Sequence, residues 1–186
     1  PADSLLFDTI VAGNYANVIA PGRTGKTSLI EATSARLQNN GFKVAVLDLE
    51  QISERDGDSD AGRWYYSIAY RLSRQLRMKT DLQTGWEDHE ILSNRQRLVE
   101  FYAQIVLQNI PERIVIFIDE IQCVADLSFA EDLLASVRAA HNARATEPEF
   151  NRLSFVIVGE CDQQGLVGDP QLSPFPVATE VRLGEF

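Results

Sequence analysis

The chain has 186 residues, 45% of them hydrophobic and 24% charged, which is enough for one domain with a well-formed core. Its 17 basic and 27 acidic residues leave a formal net charge of −10, which argues against a surface built mainly to hold a phosphate backbone, though not against a local basic groove.

Residues 4–12, Ser4-Leu5-Leu6-Phe7-Asp8-Thr9-Ile10-Val11-Ala12, read as a short capped helix closed by Gly13-Asn14. A first strand follows at 16–20, then the turn Ala20-Pro21-Gly22-Arg23-Thr24-Gly25-Lys26-Thr27-Ser28, then a helix over 25–39 that stops at Asn39-Asn40-Gly41. Strand, glycine-rich turn ending in Gly-Lys-Thr, and helix is the context of a phosphate-binding loop. Inward-facing loop N–H groups and the unpaired donors of the first helical turn suit a triphosphate. This makes Pro21, Gly22, Arg23, Thr24, Gly25, Lys26, Thr27 and Ser28 the candidate nucleotide-binding residues. Lys26 is placed to reach the outer phosphates, and the Thr27 hydroxyl to ligate Mg²⁺. Ala20 stands where the pattern opens with Gly, and is accommodated there if its φ is negative.

Residues 43–49 are a mostly apolar run expected to form a strand covered on both faces, making a right-handed parallel unit with the first strand. Glu54-Arg55-Asp56-Gly57-Asp58-Ser59-Asp60 reads as a solvated acidic loop. A helix over 61–78 buries Trp64 or Tyr65, Ile68, Leu72 and Leu76, with Arg71, Arg74 and Arg77 on one outer face. Residues 80–92 read as a loop and 93–109 as another helix.

The second chemical signal is Ile114-Val115-Ile116-Phe117-Ile118-Asp119-Glu120. A central parallel strand here delivers two carboxylates to its C-terminal end, where ligands bind in open α/β sheets. Asp119 is the candidate Mg²⁺ ligand, and Glu120 the candidate base that orients or deprotonates an attacking water. A helix over 128–145 carries Phe129, Leu133, Leu134, Val137 and His141 inward. A strand over 153–159 brings Gly159-Glu160-Cys161-Asp162 to the same edge, with no Asn or Thr at the tip to sense a γ-phosphate. A Gly- and Pro-containing loop at 163–176 precedes a fifth strand, Val177 to Leu183.

Cys123 and Cys161 are expected to be small buried fillers in a reducing compartment. No run reaches the roughly 18 apolar residues of a membrane span and no signal peptide is recognisable, so the expected location is cytoplasmic. The chain opens on Pro rather than Met and is expected to be a piece of a longer protein.

The chain resembles the AAA-like ATPase domains of bacterial multidomain proteins, near the STAND and origin-recognition groups of P-loop NTPases. The resemblance rests on Arg23-Thr24-Gly25-Lys26-Thr27-Ser28-Leu29, Trp64-Tyr65, Phe117-Ile118-Asp119-Glu120-Ile121, Val137-Arg138-Ala139 and Asn142-Ala143-Arg144-Ala145. Glu149-Phe150-Asn151-Arg152-Leu153-Ser154-Phe155, Ser173-Pro174-Phe175 and Leu183-Gly184-Glu185-Phe186 complete it. It implies a three-layer α/β/α P-loop NTPase over residues 1–186, a five-stranded parallel sheet of order 5-1-4-3-2, and ATP with Mg²⁺ as ligands. It also implies ATP/ADP and neighbouring domains or protein partners, with a helical lid expected beyond Phe186. Gln122 and Pro176 depart from the pattern, which often has an acid and an Asn there. Arg138, Arg144 and Arg152 are candidates for an arginine finger or sensor, weighed against ordinary ion pairs. The leading expectation is a slowly hydrolysing signalling switch. A DNA loader or remodeller and a non-hydrolysing interaction module are the alternatives, and a small-molecule kinase ranks last.

Overall fold

The computed structural model describes residues 2–55, 60–160 and 164–184. Helix α1 (Ala2–Val11) leads into β1 (Tyr15–Ile19), the loop, and α2 (Lys26–Asn39). Gly41, at φ 83, ends α2, with the Gly41 and Phe42 amides donating back to Gln38 and Leu37; a side chain is disfavoured at that φ. Then come β2 (Lys43–Asp48), α3 (Leu49–Arg55) and α4 (Ala61–Gln75). Next are α5 (Leu82–Glu87), α6 (Asn94–Glu100), a π-helical turn (Phe101–Val106) and α7 (Leu107–Asn109). The second half is β3 (Ile114–Asp119), a 3₁₀ turn (Ile121–Val124), α8 (Glu131–Ala143), β4 (Leu153–Gly159) and β5 (Ala178–Arg182).

All strand pairs are parallel, and the sheet runs β2-β3-β4-β1-β5, the expected order read from the other edge. Alternating side chains feed two cores, as the period of two requires. Val115, Phe117, Val156, Val158, Ala16 and Val18 meet α1 and α2 through Leu6, Ile10, Leu29, Ile30 and Leu37. Ile114, Ile116, Ile118, Phe155 and Ile157 meet α4 to α8 on the other face. The result is three layers, with β3 and β4 buried along nearly their whole length, so continuous apolar runs mark both strands.

Several expectations are corrected. Residues 80–92 contain α5, capped by Asp81 through the Thr84 amide and hydroxyl, and Trp86 is buried against Phe101 and Tyr66. Arg97 lies 4.4 Å over the Trp86 ring and donates to its carbonyl. Six residues are too few for a periodic pattern to stand out. Glu54 and Arg55 belong to the end of α3 rather than to a loop; 56–59 fall outside the described residues, as do Cys161 and Asp162. Cys123 is exposed, not a filler, because the 3₁₀ turn after β3 rotates it outward. Arg77 has left α4 and sits at φ 54, so it does not share a helical face with Arg71 and Arg74. Phe129 precedes α8 and packs edge-on to Trp64, and its carbonyl accepts from the Tyr65 hydroxyl. His141 is half-buried, edge-on to Tyr15, and burial pushes its pKa down.

The β2 edge is managed by one side chain. Gln75 accepts from the Val46 amide and donates to the Val46 carbonyl, both at 2.7 Å, standing in for a neighbouring strand. Gln75→Ala is expected to cost about 1 kcal/mol and to speed hydrogen exchange at the Val46 amide, read by exchange mass spectrometry, while Ala45 and Leu47 stay protected.

Candidate nucleotide-binding site

The loop leaves the sheet at Ala20, whose amide continues the ladder by donating to Gly159 at 2.8 Å. Ala20 is fully buried and is absent from the described non-glycine residues with positive φ, so alanine fits here. Thr24 turns its hydroxyl back onto the Pro21 carbonyl at 2.6 Å, closing the loop on itself. Gly25, at φ 83, forms the N-cap of α2, and no side chain caps that helix. A Cβ on Gly25 would meet nothing within 4 Å, so space lies open before the uncapped N–H groups of the first turn. An uncapped helix start facing open space fits an anionic phosphate group. Thr27 and Ser28 are exposed in this turn, and Arg23 is exposed at φ 66.

Strand β3 brings its carboxylates to the same place. Lys26 Nζ lies 3.8 Å from Asp119 Oδ1 and donates to Glu120 Oε1. Asp119 Oδ1 accepts the Glu120 amide at 2.8 Å, and the Gln122 side-chain amide donates to Glu120 Oε2. Glu120 sits in the left-handed region, φ 57 and ψ 41, a conformation costing a non-glycine residue about 1–3 kcal/mol. Burial alone would lower the Lys26 pKa, but the Glu120 hydrogen bond and the charges of Asp119, Glu120 and Glu160 outweigh it and raise it. Burial raises the Asp119 pKa, helped by Glu120 and Asp48 and opposed by the Glu120 amide and Lys26. Asp48 is the β2 register partner of Asp119 and caps α3.

The three candidate arginines are elsewhere. Arg144 donates to the carbonyls of Gly13 and Leu153, each at 2.7 Å, and its guanidinium lies 4.7 Å over the Tyr15 ring. Arg152 donates to Leu107 at 2.8 Å and to Ile110. Those carbonyls precede or open β1, β3 and β4, so both arginines tie together the N-terminal edge of the sheet, opposite the loop. Arg138 donates to Ser173 at 2.9 Å and to Asn142. None of the three reaches the loop, and none is held by a carboxylate among the described residues. The sequence brings Glu160, directly after β4, to this edge without pairing it with Lys26, and it does not mark Gln122, three residues past β3, as the partner of Glu120.

A sequence profile described as AAA-like domain matches residues 1–186. The chain belongs to this family. The AAA-like domain is also 33% identical over 189 residues to an uncharacterized WD repeat-containing protein of Synechocystis sp., covering all of this chain and 16% of that protein. Among solved structures, it is similar to the ORC2 protein of Aeropyrum pernix in its ADPNP-ADP complexes, with a TM-score of 0.64 and 16% identity over 97% of this chain and 45% of that one. The Aeropyrum pernix ORC1 protein in complex with DNA gives 0.60 and 14% over 100% and 44%; Cdc6p of Pyrobaculum aerophilum gives 0.56 and 15% over 97% and 44%. At these identities the likeness is one of fold. The AAA-like domain therefore spans about a sixth of the curated relative and under half of each solved chain. No helix among its described residues is long and apolar enough to cross a membrane.

Two outcomes follow from the geometry. The Asp119 pKa is raised in the fold, so its contribution to stability is present below the ordinary carboxyl value of 3.8 and is lost as pH rises through the raised one. Nucleotide-free Asp119→Asn is thus expected to melt above the wild type at pH 7, the gap closing in acid, as followed by thermal denaturation across pH. Arg144→Ala is expected to cost about 3 kcal/mol in denaturant titrations while leaving nucleotide affinity within twofold.

Proposed function

We infer that this AAA-like domain binds ATP with Mg²⁺ at the Lys26 loop and hydrolyses it slowly, its nucleotide state altering how it packs on neighbouring modules. The observation that carries this reading is the meeting of Lys26 with Asp119 and Glu120 beside the uncapped start of α2. Pro21 to Ser28 cradle the phosphates, Lys26 takes the outer ones, and Thr27 with Asp119 holds the cation. Held there, Mg²⁺ would neutralise phosphate charge. Phosphate binding draws Lys26 away from Glu120, freeing Glu120 Oε1 to accept a proton from a water while Gln122 keeps Oε2 in place.

Neighbouring modules are the expected partners: the Synechocystis relative is a WD repeat-containing protein far longer than this chain. A DNA-associated role, suggested by the ORC1 structure in complex with DNA, is the weaker reading, because the net charge of −10 disfavours phosphate backbones. Salt-dependent DNA binding by the full-length protein would reverse that order.

Mg²⁺-ATP at about 100 times its dissociation constant is expected to stabilise the fold by about 2.7 kcal/mol, read as a thermal shift. Lys26→Ala should abolish the shift, and Glu120→Gln should keep it and lose turnover. No shift for the wild type at millimolar ATP would favour a non-hydrolysing interaction module instead.

A further inference from the structure

Glu160, the residue after β4, stands beside the phosphate loop. Its Oε1 lies 3.5 Å, and its Cδ 3.9 Å, from where a Cβ on Gly22 would be. It also adds to the negative field at the Lys26 ammonium, with Asp119 and Glu120. Sheet order explains why this position matters. Strand β4 lies between β1, which carries the loop, and β3, which carries Asp119 and Glu120. A phosphate chain that starts on the α2 N–H groups and extends toward the β3 carboxylates has to pass over the tip of β4. The outer phosphates, taken by Lys26, then lie in the field of Glu160, which stands against Gly22 and acts on the Lys26 ammonium.

We propose that Glu160 sets the number of phosphates this site prefers, its carboxylate repelling a third phosphate so that a nucleoside diphosphate binds more tightly than the triphosphate. The proposal rests on the nucleotide-site reading above and deepens it. A neutral hydrogen-bond donor at this position would welcome the terminal phosphate; an anion offers only acceptor oxygens and a like charge. Glu160 is exposed, so solvent weakens the repulsion and salt screens it. The part of the discrimination that Glu160→Gln removes therefore depends on ionic strength, which a purely structural role for Glu160 would not produce.

The test is calorimetric titration of the wild type, Glu160→Gln and Glu160→Asp with ADP and with a non-hydrolysable ATP analogue, each with Mg²⁺, at low and high salt. The wild type is expected to favour ADP by about tenfold, the size of effect a partly screened like charge produces. Glu160→Gln should tighten the ATP analogue by a similar factor while ADP stays within twofold, and Glu160→Asp should keep the wild-type preference. High salt should narrow the wild-type gap relative to that of Glu160→Gln, so that the two converge. Binding of ADP with a ratio that Glu160→Gln does not move overturns this proposal and leaves the nucleotide site standing. Failure of the wild type to bind either ligand overturns both.

Discussion

The site turns on one ammonium group facing several carboxylates. Lys26 reaches Asp119 and Glu120 across the tip of β4, joining two segments more than ninety residues apart in the chain. Such a pair adds little to stability on its own, since both partners keep some contact with water. The sheet holds the groups together, and the charges bear the consequence. Asp119 is held against its preference for water, and Glu120 occupies a left-handed backbone conformation. Local choices that oppose stability concentrate where a site needs them.

The topology makes room for this cluster. β1 feeds α2 on one face of the sheet, while β3 feeds α8 on the other. Helices leaving for opposite faces open a crevice at the carboxyl ends of the strands between them. The loop and the β3 acids line that crevice, and β4 ends beneath it with Gly159 and Glu160. The short β4 tip matters because Gly159 accepts the Ala20 amide, tying the loop to the strand that separates it from the acids.

The opposite edge shows what arginine does away from the site. Arg144 and Arg152 each gather carbonyl groups from segments that meet only at the N-terminal ends of the strands. A planar guanidinium with several fixed donors suits that task, since backbone oxygens there would otherwise lack partners. Residue type alone could not show this use; the carbonyls that each arginine meets do.

The sequence by itself determined the parallel α/β architecture, the glycine-containing loop before α2 and the acidic pair at the end of β3. Turn chemistry, apolar runs and helical periodicity are written in neighbouring residues, so each could be read locally, and β3 declared itself by being apolar up to Asp119. The tertiary structure alone decided the contact of Glu160 with Gly22, the hold of Gln122 on Glu120, the exposure of Cys123 and the placement of three arginines. It also decided α5, where six residues around Trp86 fold because Arg97 and Phe101 pack over the indole. Contacts between distant segments depend on which strands are neighbours and which way each side chain leaves its strand. That information arises only when the whole sheet is assembled.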